Sequence, residues 1–451
     1  MKTILLAGAL AGGLAALSAQ TPATTVFEGA TLIDGVSAAP LTNSAIEVRN
    51  GTITRVGKRG SFPVDAGARR IDVTGKTIIP GLINVHSHLA SARPAPDGAA
   101  TPPGGVIERN ADRYLYYGVT HVMSLGTDAA DMDAYRHDED AKALSGAYIL
   151  FAGYGSSAPG GWQGANKNLH RPTTPEEGRE AVRAELPRHV DAIKFWVDSD
   201  HGKLPQLAPE VYGAIIDEAH KHQLKAFCHM FGLEDSKELI RRGLDVLAHS
   251  IRDKEIDAEF IKLAKEHGTV AVPALVGHAS VYAYEKRPEF LDDPGVALLF
   301  DKKFIDELGS AENQAKVAAD PRVPVVRGEV AIAMKNAAAM AKAGIPIALG
   351  TDMGPVNVLQ GIGDHVELEM LVQSGLTPMQ AIHAATINSA KVLKLDKTSG
   401  SIEKGKSADL IVLSANPLEN IRNTRKIDGV WFRGQLIDRA ALAKGTARAG
   451  N

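Results

Sequence analysis

The chain has 451 residues, 44% of them hydrophobic, which is ample for a large packed core. Acidic and basic side chains nearly cancel, at 53 and 50, so the charge balance implies neither nucleic acid nor any other polyanion as a partner. The single cysteine, Cys228, excludes an intramolecular disulfide and leaves packing and metal to stabilise the fold.

Lys2, the apolar run from Ile4 to Leu17 and the small residues Ser18 and Ala19 read as a signal peptide over residues 1–20, cut near Ala19. The protein is then expected to be secreted or periplasmic, free of the membrane once the signal is removed. Residues 21–76 read as short strands. Ala45–Arg49 and Thr52–Val56 both alternate, and Asn50-Gly51 between them is a hairpin turn.

From 77 to 399 strand-like and helix-like stretches alternate. The expected strands are Thr77–His88, Thr120–Leu125, Ala147–Ala152, Ala192–Asp198, Leu224–Met230, Val246–Ser250, Thr269–Leu275 and Pro346–Asp352. The clearest amphipathic helices are Glu176–Leu186, Pro209–His222, Ser236–Arg242 and Ala258–His267. Eight such units predict an α/β fold of the (β/α)8 TIM-like barrel type. Residues 277–326 form a long insertion after the seventh strand, on the face where barrel active sites lie, and read as a lid or substrate-binding element. Residues 400–451 return to β-rich sequence at Ala408–Leu413 and Gly429–Arg433. They are expected to complete a small β-sandwich with 21–76.

Strand alternation turns residues two apart to the same side. His86 and His88 therefore face the axis together, along with Asn84, while Ile83, Val85 and Ser87 face the helices. Two imidazoles on adjacent pleats can chelate one ion. The same test turns Lys194 inward on the fourth strand, with Ile193, Phe195 and Val197 outward. A lone buried ammonium is costly, so it must be paired, neutralised or converted to a carbamate. His229 points inward beside Phe227, and Cys228 turns away as a small buried hydrophobe. His249 and Asp352 end their strands, and Asp352 can both bind metal and accept a proton from water.

At these residues the chain resembles the amidohydrolase superfamily. The resemblance rests on Ile79-Pro-Gly-Leu-Ile-Asn-Val-His-Ser-His88, Gly350-Thr-Asp-Met-Gly354 and the tail Gly400-Ser-Ile-Glu-Lys-Gly-Lys-Ser-Ala-Asp-Leu-Ile-Val-Leu413. It implies a binuclear centre. His86, His88 and Asp352 would hold one divalent ion, His229 and His249 a second, with carboxylated Lys194 between them and zinc the expected metal. Asp352 would be the general base and acid. The pattern is similar to the subgroup of imidazolonepropionase-related and Xaa-Pro dipeptidase-like proteins. It departs from the superfamily at Asn84, often Asp there, and from many prolidase-like members in lacking a Gly-rich turn after Lys194.

The implied reaction is hydrolysis of a small amide, such as a dipeptide or N-acyl amino acid. Candidate substrate contacts are Tyr154, Trp162, His170, His278 and Tyr282. A lactonase or phosphotriesterase would use the same metals, and a mononuclear deaminase would dispense with Lys194. A non-catalytic relative of the fold is expected to lose ligands, and none is missing. Association into homo-oligomers is compatible with this fold class, though no interface signal stands out.

Overall fold

The computed structural model describes residues 24–90, 105–128, 132–133, 135, 146–164, 166–354 and 357–445. The expected signal segment lies outside them. No helix among the described residues is long and apolar enough to cross a membrane.

Both chain ends build the first layer. Ser44–Arg49 and Thr52–Lys58 pair antiparallel around Asn50 and Gly51, both at positive φ, as the Asn-Gly turn requires. Thr24–Glu28 and Arg69–Asp72 extend this sheet to four strands. A second sheet has five strands. Thr77–Pro80 lies between Thr31–Leu32 and Leu410–Leu413, followed by Ile427–Phe432 and Gln435–Leu436. The apolar faces share one cluster, in which Phe27, Ile46, Ile78, Leu410 and Val412 pack with Trp431. The rings of Phe27 and Trp431 meet edge to face at 5.0 Å.

The single strand expected over Thr77–His88 is therefore two. Thr77–Pro80 belongs to the terminal sheet, and Leu82–Ser87 starts a parallel sheet with Val119–Ser124 and Tyr148–Phe151. The joint is Gly81, where a Cβ would stand 2.5 Å from the Thr120 side chain. A second parallel sheet runs Leu169–His170, Gly155–Ser156, Ala192–Val197, Lys225–Met230, Val246–Leu247 and Val270–Ala271. Neither ladder closes on itself. Individual hydrogen bonds join them: Asp191 N to Phe151 O at one side, Ala348 N to Ala271 O and Val85 N to Leu349 O at the other.

Three expected strands are shorter or absent as ladders. Val246–Ser250 pairs only at Val246–Leu247, and Thr269–Leu275 only at Val270–Ala271, because Leu275 already starts a helix. Pro346–Asp352 makes isolated bridges, from Ile347 to Ala271 and from Met353 to Ser87. Single backbone bonds continue the pairing beyond the ladders, from Ala248 N to Cys228 O, Val272 N to Leu247 O and Thr351 N to His86 O.

The helices follow the pattern closely. Pro175–Glu185 begins at a capping box in which Thr174 accepts from Glu177 N and the Glu177 side chain reaches back. Pro209–Lys221, Leu233–Arg241 and Ala258–His267 match the remaining expectations within a few residues. The long insertion opens with turns over 280–288 and then becomes helical, with Pro294–Leu299, Lys302–Leu308 and Ala311–Ala318 leading into Val323–Ala343.

Candidate metal centre and its cavity

The chemistry-bearing residues sit at the C-terminal ends of the parallel strands, above an apolar floor of Val85, Met123, Leu150, Phe227 and Val246. The place of Val85 corrects the simple alternation. Val85 packs inside, while Asn84 faces outward and donates to Thr351 Oγ1 and Asp364 Oδ1, both at 2.7 Å. The register shifts between Asn84 and Ser87, and this irregularity restores His86 and His88 to the inside. A bulge re-aims side chains in this way. The Asn84 Oδ1 accepts from His86 N at 2.8 Å, tying the irregularity to its neighbours. Asp364 thus supplies a carboxyl beside Asn84, and burial pushes it up to about 7.

His86, His88 and Asp352 present one donor atom each within 4.8 Å of one another. The Asp352 Oδ1 lies 3.1 Å from His88 Nε2 and 3.3 Å from His86 Nε2. Burial raises this carboxyl, but the two imidazoles and Lys194 outweigh it and hold it well below the usual range. Asp352 also adopts φ 49°, a left-handed conformation costly for a residue with a Cβ.

Lys194 is buried, with Nζ 3.5 Å from His86 Nε2 and 5.0 Å from the Trp196 ring centre. Burial pulls its ammonium down to about 8, against the opposing pull of Asp352. Gly126 makes room for it, since a Cβ there would stand 2.9 Å from Lys194 Cγ. The rings of His86 and His249 are 4.8 Å apart, and those of His229 and His249 are 4.2 Å apart. His229 Nε2 pairs with Asp198 Oδ2 at 2.9 Å, leaving Nδ1 to face other partners. Burial pulls this imidazole down to about 4 despite Asp198.

The donor set fits metal. Both nitrogens of His249 are buried with no hydrogen-bond partner, while His86 turns Nε2 to Asp352 and Lys194 and leaves Nδ1 on its far side unpartnered. Each orphaned polar atom costs about 1–3 kcal/mol. An imidazole kept only for packing would be paired; one kept for an ion is left open. Burial also holds His86 and His249 well below the ordinary imidazole value, so both are neutral and able to donate a lone pair.

Two cavities adjoin at these residues. One, of about 430 Å³, is lined by His86, His88, Lys194, Trp196 and Asp352. The other, of about 960 Å³, is lined by Asp352, His229, His278 and Arg252, and is walled by Lys316 and Val325 of the insertion and by Glu329 of the helix that follows. Trp162 borders both and lies against His229 at 4.8 Å. His278 lies in the helix Leu275–Ala279, its ring 5.0 Å from His249.

The other expected contacts stand apart from both cavities. His170 pairs with Glu185 at 2.6 Å, and Tyr154 lies under the Arg188 guanidinium. Tyr282 is covered by Arg327 at 4.4 Å. Two wall residues escaped the sequence reading. Asp198 shares the inward parity of Lys194 and Trp196, so alternation alone points to it. Arg252 carries no comparable signal; its Nη1 donates to Met230 O and Ser250 O.

The amidohydrolase family model matches residues 77–437. The chain belongs to the amidohydrolase family. As a member it is an enzyme, a hydrolase. Ochratoxinase from Aspergillus niger is 27% identical to this amidohydrolase, over 92% of this chain and 86% of its own. Imidazolonepropionase from Christiangramia forsetii is 24% identical over 88% and 92% respectively. Among solved structures, molinate hydrolase superposes with a TM-score of 0.71 at 25% identity, covering 93% of this chain and 96% of its own. A Xaa-Pro dipeptidase with bound methionine has a TM-score of 0.71 at 24% identity, covering 92% and 99%, and shares the fold.

Proposed function

We propose that this amidohydrolase cleaves a small amide or peptide-like C–N bond, in a dipeptide or N-acyl amino acid, with two divalent ions. The carrying observation is the convergence of His86, His88, Lys194, His229, His249 and Asp352, with both His249 nitrogens buried and unpartnered. The two parallel sheets and the segment 346–353 are read as one closed (β/α)8 barrel, supported by the hydrogen bonds that join them. The terminal sheets are read as a β-sandwich over the shared Phe27–Trp431 cluster.

His86, His88 and Asp352 would hold one ion and His229 and His249 the other. Zinc suits the imidazole donors. Lys194 would complete the set as a carbamate: its neutral amine adds to carbon dioxide and loses one proton, leaving a single negative charge shared by two oxygens. Such ions supply Lewis acidity that brings the pKa of water towards neutrality and polarises a carbonyl. Asp352 accepts the water proton as attack begins and returns it to the leaving nitrogen. Its depressed pKa keeps it ionised for the first of these steps. Asp198 orients the His229 ring through Nε2. Trp162 and the insertion confine the substrate. Export by the signal segment is part of the same reading, and N-terminal sequencing of the mature protein checks it.

The test is metal content per chain in protein purified without chelator and in bicarbonate, beside Lys194→Ala. About two equivalents, falling in the variant, support the binuclear hydrolase. About one equivalent, indifferent to Lys194, favours a mononuclear deaminase. A panel of dipeptides, N-acyl amino acids and lactones then separates amide from ester chemistry.

A further inference from the structure

The helix Leu275–Ala279 has a single turn, yet three features fix it. Ala274, immediately before it, adopts φ 49°, where a Cβ is strained. The buried carboxylate of Glu367, from the separate helix Ile362–Ser374, accepts from Leu275 N at 3.0 Å and Val276 N at 2.7 Å. Gly277 lets the turn press against the end of the Asp352 segment. A Cβ there would stand 2.9 Å from Thr351 O and 3.1 Å from Asp352 Cβ. Strain of this kind persists only where the surroundings over-determine it, and it gathers at functional sites.

The residue so placed is His278. It lines the larger cavity with Asp352 and His229, and its Nε2 is buried with no hydrogen-bond partner. It is absent from the smaller cavity that holds His86, His88 and Lys194. It therefore stands on the side of the donors that opens into the larger cavity. Within the described chain that nitrogen has no partner, and a small turn of the ring beside the cavity would present it to a ligand atom.

We propose that His278 is a further catalytic residue, donating a hydrogen bond from Nε2 to the carbonyl oxygen of the scissile amide as negative charge gathers there. The inference rests on the amide-hydrolase reading. The proton stays on Nε2, and no bond to His278 forms or breaks. A preplaced donor of this kind acts on the transition state more than on the substrate, because it strengthens as the oxygen becomes anionic.

The probe is an N-methylphosphonyl amino acid, whose tetrahedral anionic oxygens replace the scissile carbonyl. Its affinity is measured by calorimetry on the metal-loaded protein, beside kcat and KM for the corresponding N-acetyl amino acid. His278→Ala is expected to weaken the phosphonate, and to lower kcat, by roughly 10²–10³-fold. KM and metal per chain stay unchanged. His278→Gln keeps an N–H donor and recovers part of both losses. Metal lost from His278→Ala would make the residue a ligand and overturn the proposal. Unchanged kcat and phosphonate affinity, or a raised KM alone, would overturn it too. If the native protein neither binds the phosphonate nor cleaves any amide tested, the amide reading fails and takes this one with it. A native protein that does both, beside an indifferent variant, removes His278 alone.

Discussion

The apolar cluster between the terminal sheets and the polar cluster at the strand ends both reach the interior but differ in completeness. Phe27, Ile46, Leu410 and Trp431 find all their partners within the chain. His86 and His249 do not; they leave ring nitrogens in the interior without hydrogen bonds. Dispersion and area burial saturate locally, so an apolar cluster is finished once packed. A lone pair withdrawn from water needs a specific partner, and the chain withholds one. A self-contained region answers to stability, whereas an open one answers to what it binds.

Substitutions can break this contrast. The largest effect is expected at Asp352. Asp352→Asn removes the proton acceptor and lowers kcat roughly 10²–10⁴-fold, read from steady-state rates on the best amide substrate. A variant retaining native kcat sinks the general-base role. Next comes Phe27→Ala, which opens the Trp431 contact and costs about 3–5 kcal/mol of stability. Denaturant unfolding should register the loss, while metal per chain at low temperature stays at the native level. Coupled loss of metal would mean that the two regions are not independent.

Asn84→Ala tests the seam between sheet and site. Thr351, Asp364 and His86 N each lose a partner, so the bulge that aims both imidazoles loosens. Metal affinity should drop about 10–100-fold in a chelator competition, as for other groups that orient ligands. Affinity equal to the native protein's would show that the strand holds its shape without Asn84. The smallest effect belongs to Thr174→Ala. It removes a capping box remote from both clusters and costs about 1 kcal/mol, with kcat untouched.

Much of the candidate site was legible because strands repeat every two residues. Parity pointed Lys194 and His229 inward, and the structure brings Lys194 beside His86 and His229 beside His249. Parity also misled at Asn84 and Val85. A one-residue register shift exchanges faces, and no local sequence signal announces it. Tyr154, His170 and Tyr282 looked available on polar loops, but Glu185, Arg188 and Arg327 engage them. Those partners come from other elements, at separations that spacing does not reveal.

By itself, then, the sequence determined the alternation of strands and helices, the Asn50-Gly51 turn and the set of donors at the strand ends. These follow from period, turn chemistry and residue type, which act over a few positions along the chain. The tertiary structure alone decided that Thr77–Pro80 joins the terminal sheet, that a bulge aims His86, and that Glu367 and Gly277 fix His278 against Asp352. These depend on contacts between residues far apart in the chain, where packing and hydrogen-bond satisfaction override local pattern.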